Sequence, residues 1–120
     1  MKAKFIFLFL LIGLVLLSVL PKGVGKYNTF AQCLTDNGAV MYGTEWCIHC
    51  KNQKALFGAS FEVVNYVDCD LDRNACSSAG ISGYPTWVIG GNLYPGEQSL
   101  SQLATLTECE LVEDDPATGE

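Results

Sequence analysis

The pattern of apolar and polar positions divides the chain into one long apolar run and a set of short blocks. Phe5 to Leu20 is apolar apart from Gly13 and Ser18, and Lys2 and Lys4 precede it. So unbroken a run beside basic flanks reads as a targeting or anchoring segment rather than a buried core helix. At 1.5 Å per residue it spans about 24 Å, a little short of a bilayer core, and flanking residues with local thinning make up the difference. Its end, Ser18-Val19-Leu20-Pro21-Lys22, lacks the small-residue pattern that precedes signal cleavage. An uncleaved signal anchor over residues 1–21 is expected, with a cleaved signal peptide as the rival. The basic groups ahead of the run outnumber Lys22 and Lys26, which places the tail inside and the domain outside the membrane.

Residues 22–26, with two glycines and two lysines, form a linker. Tyr27 to Asn37 carries Phe30, Ala31 and Leu34 on one face and stops at Asn37-Gly38, so a helix is predicted. Ala39 to Tyr42 is too apolar for a surface strand and suits the middle of a parallel sheet. A second helix runs from about Cys47 to Phe57 and stops at Gly58. The β-branched and aromatic stretch Phe61 to Val67 predicts the next strand. Asp68 to Gly80 is polar with room for one helical turn. Pro85 to Ile89, Gly90-Gly91-Asn92 and Leu93-Tyr94 read as a hairpin. Pro95-Gly96 then breaks the chain before a last helix, Ser99 to Leu106. Residues 110–120 are expected to be an acidic, disordered tail. The order helix, strand, helix, strand, short helix, hairpin, helix gives an α/β domain over residues 27–109. Its expected form is a small mixed sheet, parallel at its centre and antiparallel at one edge, with helices on both faces.

With 120 residues there is room for one such domain. The formal charge is −6, and from Pro21 onward five Lys/Arg face thirteen Asp/Glu, which is −8. Nucleic acid and anionic membrane surfaces are therefore poor partners. Six cysteines in so short a chain point to an oxidising, extracytoplasmic compartment.

The candidate chemistry lies in Trp46-Cys47-Ile48-His49-Cys50, between a predicted strand and a predicted helix. Residues three apart share a helix face, so Cys47 and Cys50 can close a reversible disulfide. The amides and dipole of a helix N-terminus favour an anion, so Cys47, the outer of the two, is expected to ionise more readily than a free thiol. A metal site would need a second CxxC or a paired histidine, and His49 is the only histidine. No metal or cofactor is called for. An inert structural disulfide, or a binding module with the pair permanently bonded, is the bland alternative. His49 either stabilises a Cys47 thiolate as an imidazolium or points into solvent. Trp46 and Ile48 flank the motif as apolar surface for substrates, whereas Trp87 is assigned to the core.

These residues resemble the thioredoxin superfamily, and more narrowly the thioredoxin-like domain associated with vitamin K epoxide reductase homologues. The likeness covers roughly Tyr27 to Leu106. It is carried by Phe30-Ala31-Gln32-Cys33-Leu34, Met41-Tyr42-Gly43, the Trp46–Cys50 motif, Gln53-Lys54-Ala55-Leu56-Phe57-Gly58, and Gly83-Tyr84-Pro85-Thr86-Trp87. It implies Cys47 as the attacking thiol, Cys50 as the resolving one, and Pro85 as a cis proline beside them. Tyr84 would offer backbone groups to an extended substrate. It further implies that the domain oxidises thiols of secreted proteins and is regenerated by a quinone-linked membrane reductase. A reductase or isomerase of the same fold is the alternative. The family often has a second cysteine pair where Cys69 and Cys76 stand, in a spacing that suits a structural disulfide; two separate buried thiols are the other possibility. Cys33 and Cys109 fall in the first and last helices, which tend to cover opposite faces in this layout, so their pairing stays open. Two departures stand out. Ile48 replaces the proline common before the motif histidine, and Met41 replaces the buried aspartate by which classical thioredoxins take the resolving thiol's proton.

Overall fold

The computed structural model describes residues 25–115. The expected N-terminal anchor lies outside these residues. Among the described residues no helix is long and apolar enough to cross a membrane.

Helix α1 spans Asn28–Asp36 and buries Phe30, Ala31 and Leu34, the stripe read from the sequence. Strand β1, Val40–Gly43, leads through a short loop into α2, Ile48–Phe57. Gly58 ends α2 at φ +56, a conformation that costs glycine little. The chain then departs from expectation. Gly58–Val63 is a 3-10 helix, and only Tyr66–Asp68 forms β2. An apolar run of this length does not distinguish strand from helix by itself, and here packing decides. The Phe61 ring sits between those of Phe57 and Tyr66, at 5.9 and 5.6 Å, and the Val63 carbonyl accepts from Thr35 Oγ1 at 2.7 Å.

The polar stretch holds more helix than one turn. Helix α3, Arg73–Ala79, starts where the Asp72 side chain accepts from the Ala75 amide and stops at Gly80 in the left-handed region. Strands β3, Thr86–Ile89, and β4, Asn92–Pro95, make the hairpin. The Ser99 hydroxyl then caps α4, Leu100–Thr107.

The sheet runs β2-β1-β3-β4, with β1 and β2 parallel and the other pairs antiparallel. The parallel pair is thus at one edge and not at the centre. β1 is central, as its apolar character suggested, but between one parallel and one antiparallel neighbour. Met41, Trp87 and Tyr94 are cross-strand partners and share a face. Helix α2 covers that face through Gln53 and Phe57, and Phe30 of α1 stacks on Phe57 at 6.2 Å. On the opposite face Val40, Tyr42 and Val88 are half-buried, and α3 meets it at Gly80, close to Leu93.

Two further expectations are corrected. Helices α1 and α4 do not cover opposite faces; they pack together and are joined by a Cys33–Cys109 disulfide. Nor does a disordered tail begin at Glu110. The Asp114 amide donates to the Lys26 carbonyl at 2.7 Å, and its carboxylate accepts from the Thr29 amide and hydroxyl. Lys26 and Glu113 form an ion pair at 3.2 Å. Chain charge did not reveal this docking, because it rests on the free amides at the start of α1, where a carboxylate is favoured.

Candidate active site

The two motif cysteines are both thiols, and they sit at different depths. Cys47 is the N-cap of α2: its backbone is extended, and its Sγ accepts the Cys50 amide at 3.1 Å. The unpaired amide of a helix start is thereby aimed at the Cys47 sulfur. On its other side the thiol donates to the Tyr84 carbonyl at 3.6 Å. Cys47 is 7% exposed and Cys50 0%.

Burial pushes the Cys50 thiol up to about 12, and its hydrogen bond with Cys47 adds to the effect. The Thr44 backbone and the Lys54 ammonium work in the opposite direction. The pocket around Cys50 is tight because residue 43 is a glycine. A Cβ there would stand 2.8 Å from the Cys50 sulfur and 3.4 Å from the Tyr66 ring. Lys54 Nζ lies 4.1 Å from the centre of that ring and donates to Glu45 at 3.0 Å. Burial, with Glu45 next in effect, raises the Tyr66 phenol as well. Met41, where a buried carboxylate was noted as missing, is fully buried in the central strand.

Pro85 is buried and its bond to Tyr84 is cis, as the family likeness implied. Trp46 and Ile48 are 67% and 63% exposed beside the motif. The Trp46 indole meets the Tyr84 ring edge-on at 6.1 Å and donates to Asp70 at 2.8 Å. Cys47, Cys50, Trp46, Tyr84 and Pro85 therefore come together as the sequence suggested, and Trp87 is core. His49 faces solvent, its side chain 65% exposed, and its Nδ1 shares a 2.8 Å hydrogen bond with Glu97. The next residue along, Gln98, is held by a buried network. The Gln53 side chain accepts from the Gln98 amide at 2.7 Å and from Trp87 Nε1 at 3.2 Å, and donates to the Gln98 carbonyl at 2.9 Å.

Cys69 and Cys76 are bonded to each other, which closes the alternative of two separate thiols. Sequence reasoning missed Glu97, Asp70, Lys54, Tyr66 and Gln53. None carries a local signal, because each meets the motif from another element or from the hidden side of α2. Among the described residues no group of three or more His, Cys, Asp or Glu side chains is arranged to hold a metal ion.

A thiol at a helix start, a second buried one turn along, and the carbonyl that precedes a cis proline against the first form a site suited to reversible thiol–disulfide exchange, on a small mixed α/β fold. No family model matches the chain. Over 86 residues it is 41% identical to the thiol-disulfide oxidoreductase LTO1 of Arabidopsis thaliana, a match covering 64% of this chain and 23% of that protein. Over 90 residues it is 37% identical to protein disulfide isomerase-like 2-2 of Oryza sativa, covering 62% of this chain and 24% of the relative. The chain thus spans about a quarter of the length of these relatives. A solved thioredoxin from Malassezia sympodialis aligns with a TM-score of 0.47 and 22% identity, over 75% of this chain and 94% of that one.

Proposed function

We propose that the chain is an extracytoplasmic thiol–disulfide oxidoreductase that oxidises thiols of secreted proteins through a Cys47–Cys50 disulfide. The observation that carries this is the division of labour between the two sulfurs. Cys47, the shallower of the two at 7% exposed, sits between an amide donor and the Tyr84 backbone, while Cys50 is fully buried and held protonated by that burial.

In the oxidised state a substrate thiolate attacks the Cys47 sulfur. The Cys47–Cys50 bond breaks, and Cys50 leaves with the electron pair and takes up a proton. A second substrate thiolate then attacks its partner sulfur in the mixed disulfide and releases Cys47 as a thiolate. Two electrons pass from substrate to the domain, and the substrate gains a disulfide. As Cys50 leaves, Lys54 offsets its charge. The Tyr84 backbone offers an edge to an extended substrate, with Trp46 and Ile48 as apolar contacts. His49 sits within the motif, its Nδ1 hydrogen-bonded to Glu97 at 2.8 Å.

Two disulfides outside the motif suit an oxidising compartment. The apolar Phe5 to Leu20 run supports a tether that keeps the domain beside a membrane. Regeneration falls to a quinone-linked membrane reductase resembling vitamin K epoxide reductase. In the Cys50→Ser variant, mixed disulfides to Cys47 should accumulate in cells and vanish in the Cys47→Ser variant. An absence of such adducts sinks the proposal. The membrane reductase should be recovered among them when its own cysteines are blocked from resolution.

Isomerisation is a second reading, favoured by the match to a protein named a disulfide isomerase. It conserves redox state and needs only Cys47, so Cys50→Ser would still reshuffle a scrambled substrate, whereas net oxidation requires both sulfurs.

A further inference from the structure

We infer that the cavity between α3 and the Tyr84–Pro85 turn is a subsite for a carboxylate that a polypeptide substrate carries near its reacting cysteine, with Arg73 as the group that binds it. This rests on the redox reading above and adds a substrate class to it.

The cavity holds about 330 Å³ and is lined by Asp70, Arg73, Ser77, Ile81 and Tyr84, with the Cys69–Cys76 disulfide in its wall. It lies at the low end of the roughly 300–1,000 Å³ range of ligand cavities, a size for one side chain rather than a cofactor. Tyr84 belongs to both places, since its carbonyl receives the Cys47 thiol while its side chain helps line the cavity. The Trp46 indole, set edge-on to Tyr84 and bonded to Asp70, completes a ridge between sulfur and cavity. A polypeptide whose cysteine bonds to Cys47 and runs along the Tyr84 backbone crosses this ridge on one side of that cysteine. An extended chain advances about 3.3 Å per residue, so a side chain one to three positions from the cysteine falls beyond the ridge.

Charge selects what it carries there. Arg73 is the chain's only arginine, and among the described residues its guanidinium makes no ion pair with a carboxylate. Asp70, in the same lining, accepts from Trp46, and Asp72 caps α3 through the Ala75 amide; both keep their charge, and neither forms an ion pair with Arg73. Five guanidinium donors with the Ser77 hydroxyl beside them match a carboxylate. The chain's overall −6 repels acidic polypeptides at long range, so selection depends on this local contact and is strongest close in.

The test uses the Cys50→Ser protein with thionitrobenzoate attached to Cys47. A peptide thiolate attacks the Cys47 sulfur, forms the mixed disulfide and releases the coloured thionitrobenzoate anion. Peptides with one cysteine and a Glu, Gln or Lys at a set of nearby positions are compared. Each rate is divided by that of the same peptide with the 2-mercaptoethanol adduct of thionitrobenzoate, whose thiol half is uncharged, which removes the peptide's own thiol reactivity. Glu peptides should react roughly three- to tenfold faster than Lys peptides, an advantage that shrinks with added salt. Arg73→Gln should erase the difference and Arg73→Glu should invert it. A Glu-to-Lys ratio of one in the parent protein, or a ratio unchanged in Arg73→Gln, overturns the subsite and leaves the redox reading standing. Failure of every peptide to release the label overturns both.

Discussion

At Cys50, burial decides the chemistry more than sequence position does. With the thiol pushed up to about 12, the reduced protein carries one reactive sulfur near neutrality. Iodoacetamide should therefore place a single adduct on Cys47, read by mass spectrometry, and a second only after unfolding. Stability follows the same group. Below about pH 9 the thiol is protonated in both folded and unfolded chains. Between about 9 and about 12 the unfolded chain loses this proton and the folded one keeps it, so the reduced protein weakens as pH rises through that window. Urea midpoints should fall there for the reduced form and not for the Cys47–Cys50 oxidised form, whose sulfurs hold no proton. Gly43→Ala tests the tightness of the same pocket. Its methyl would press on the Cys50 sulfur, and a loss of about 1–3 kcal/mol in chemical denaturation is expected. The sequence pointed to Cys47 and Cys50 by spacing alone. It did not point to Gly43 or Tyr66, because close approach across a sheet leaves no mark on local pattern.

The elements were legible where periodicity and punctuation agreed. Phe30, Ala31 and Leu34 gave α1 its buried stripe, Gly58 stopped α2, and the Gly90-Gly91 pair turned the hairpin. They were not legible between Gly58 and Val67, where an apolar stretch fits either a strand or a helical turn and the ring packing of Phe57, Phe61 and Tyr66 chose the second. Gln53 shows a related limit. Read along α2 it is one polar residue among several, yet it is fully buried and ties α2 to the turn that presents Glu97. Gln53→Leu should strand the Trp87 Nε1 and the Gln98 amide without acceptors. The expected cost is about 2–4 kcal/mol by urea unfolding, with an accompanying change in the pH dependence of Cys47 alkylation as Glu97 loses its hold near His49.

For the whole molecule, the two structural disulfides close loops of very different size. Cys33–Cys109 spans 76 positions and Cys69–Cys76 spans 7. Loop-closure entropy gives about 4.5 kcal/mol for the first and about 2.5 kcal/mol for the second. Replacing Cys33 and Cys109 together by serine should therefore lower stability more than replacing Cys69 and Cys76, measured on otherwise identical oxidised protein. The amino-acid order by itself determined the α/β class, the short strand–loop–helix unit carrying Cys47 and Cys50, and the helix and turn boundaries marked by Gly58 and Gly90-Gly91, because these depend on neighbours within one or two turns of chain. Only the tertiary structure decided which strand lies beside which, that α1 and α4 meet through Cys33 and Cys109, that Glu97 faces His49, and that Arg73 opens onto a cavity beside Tyr84. Those contacts join residues tens of positions apart, and they are fixed by how buried faces close on one another, which no local pattern records.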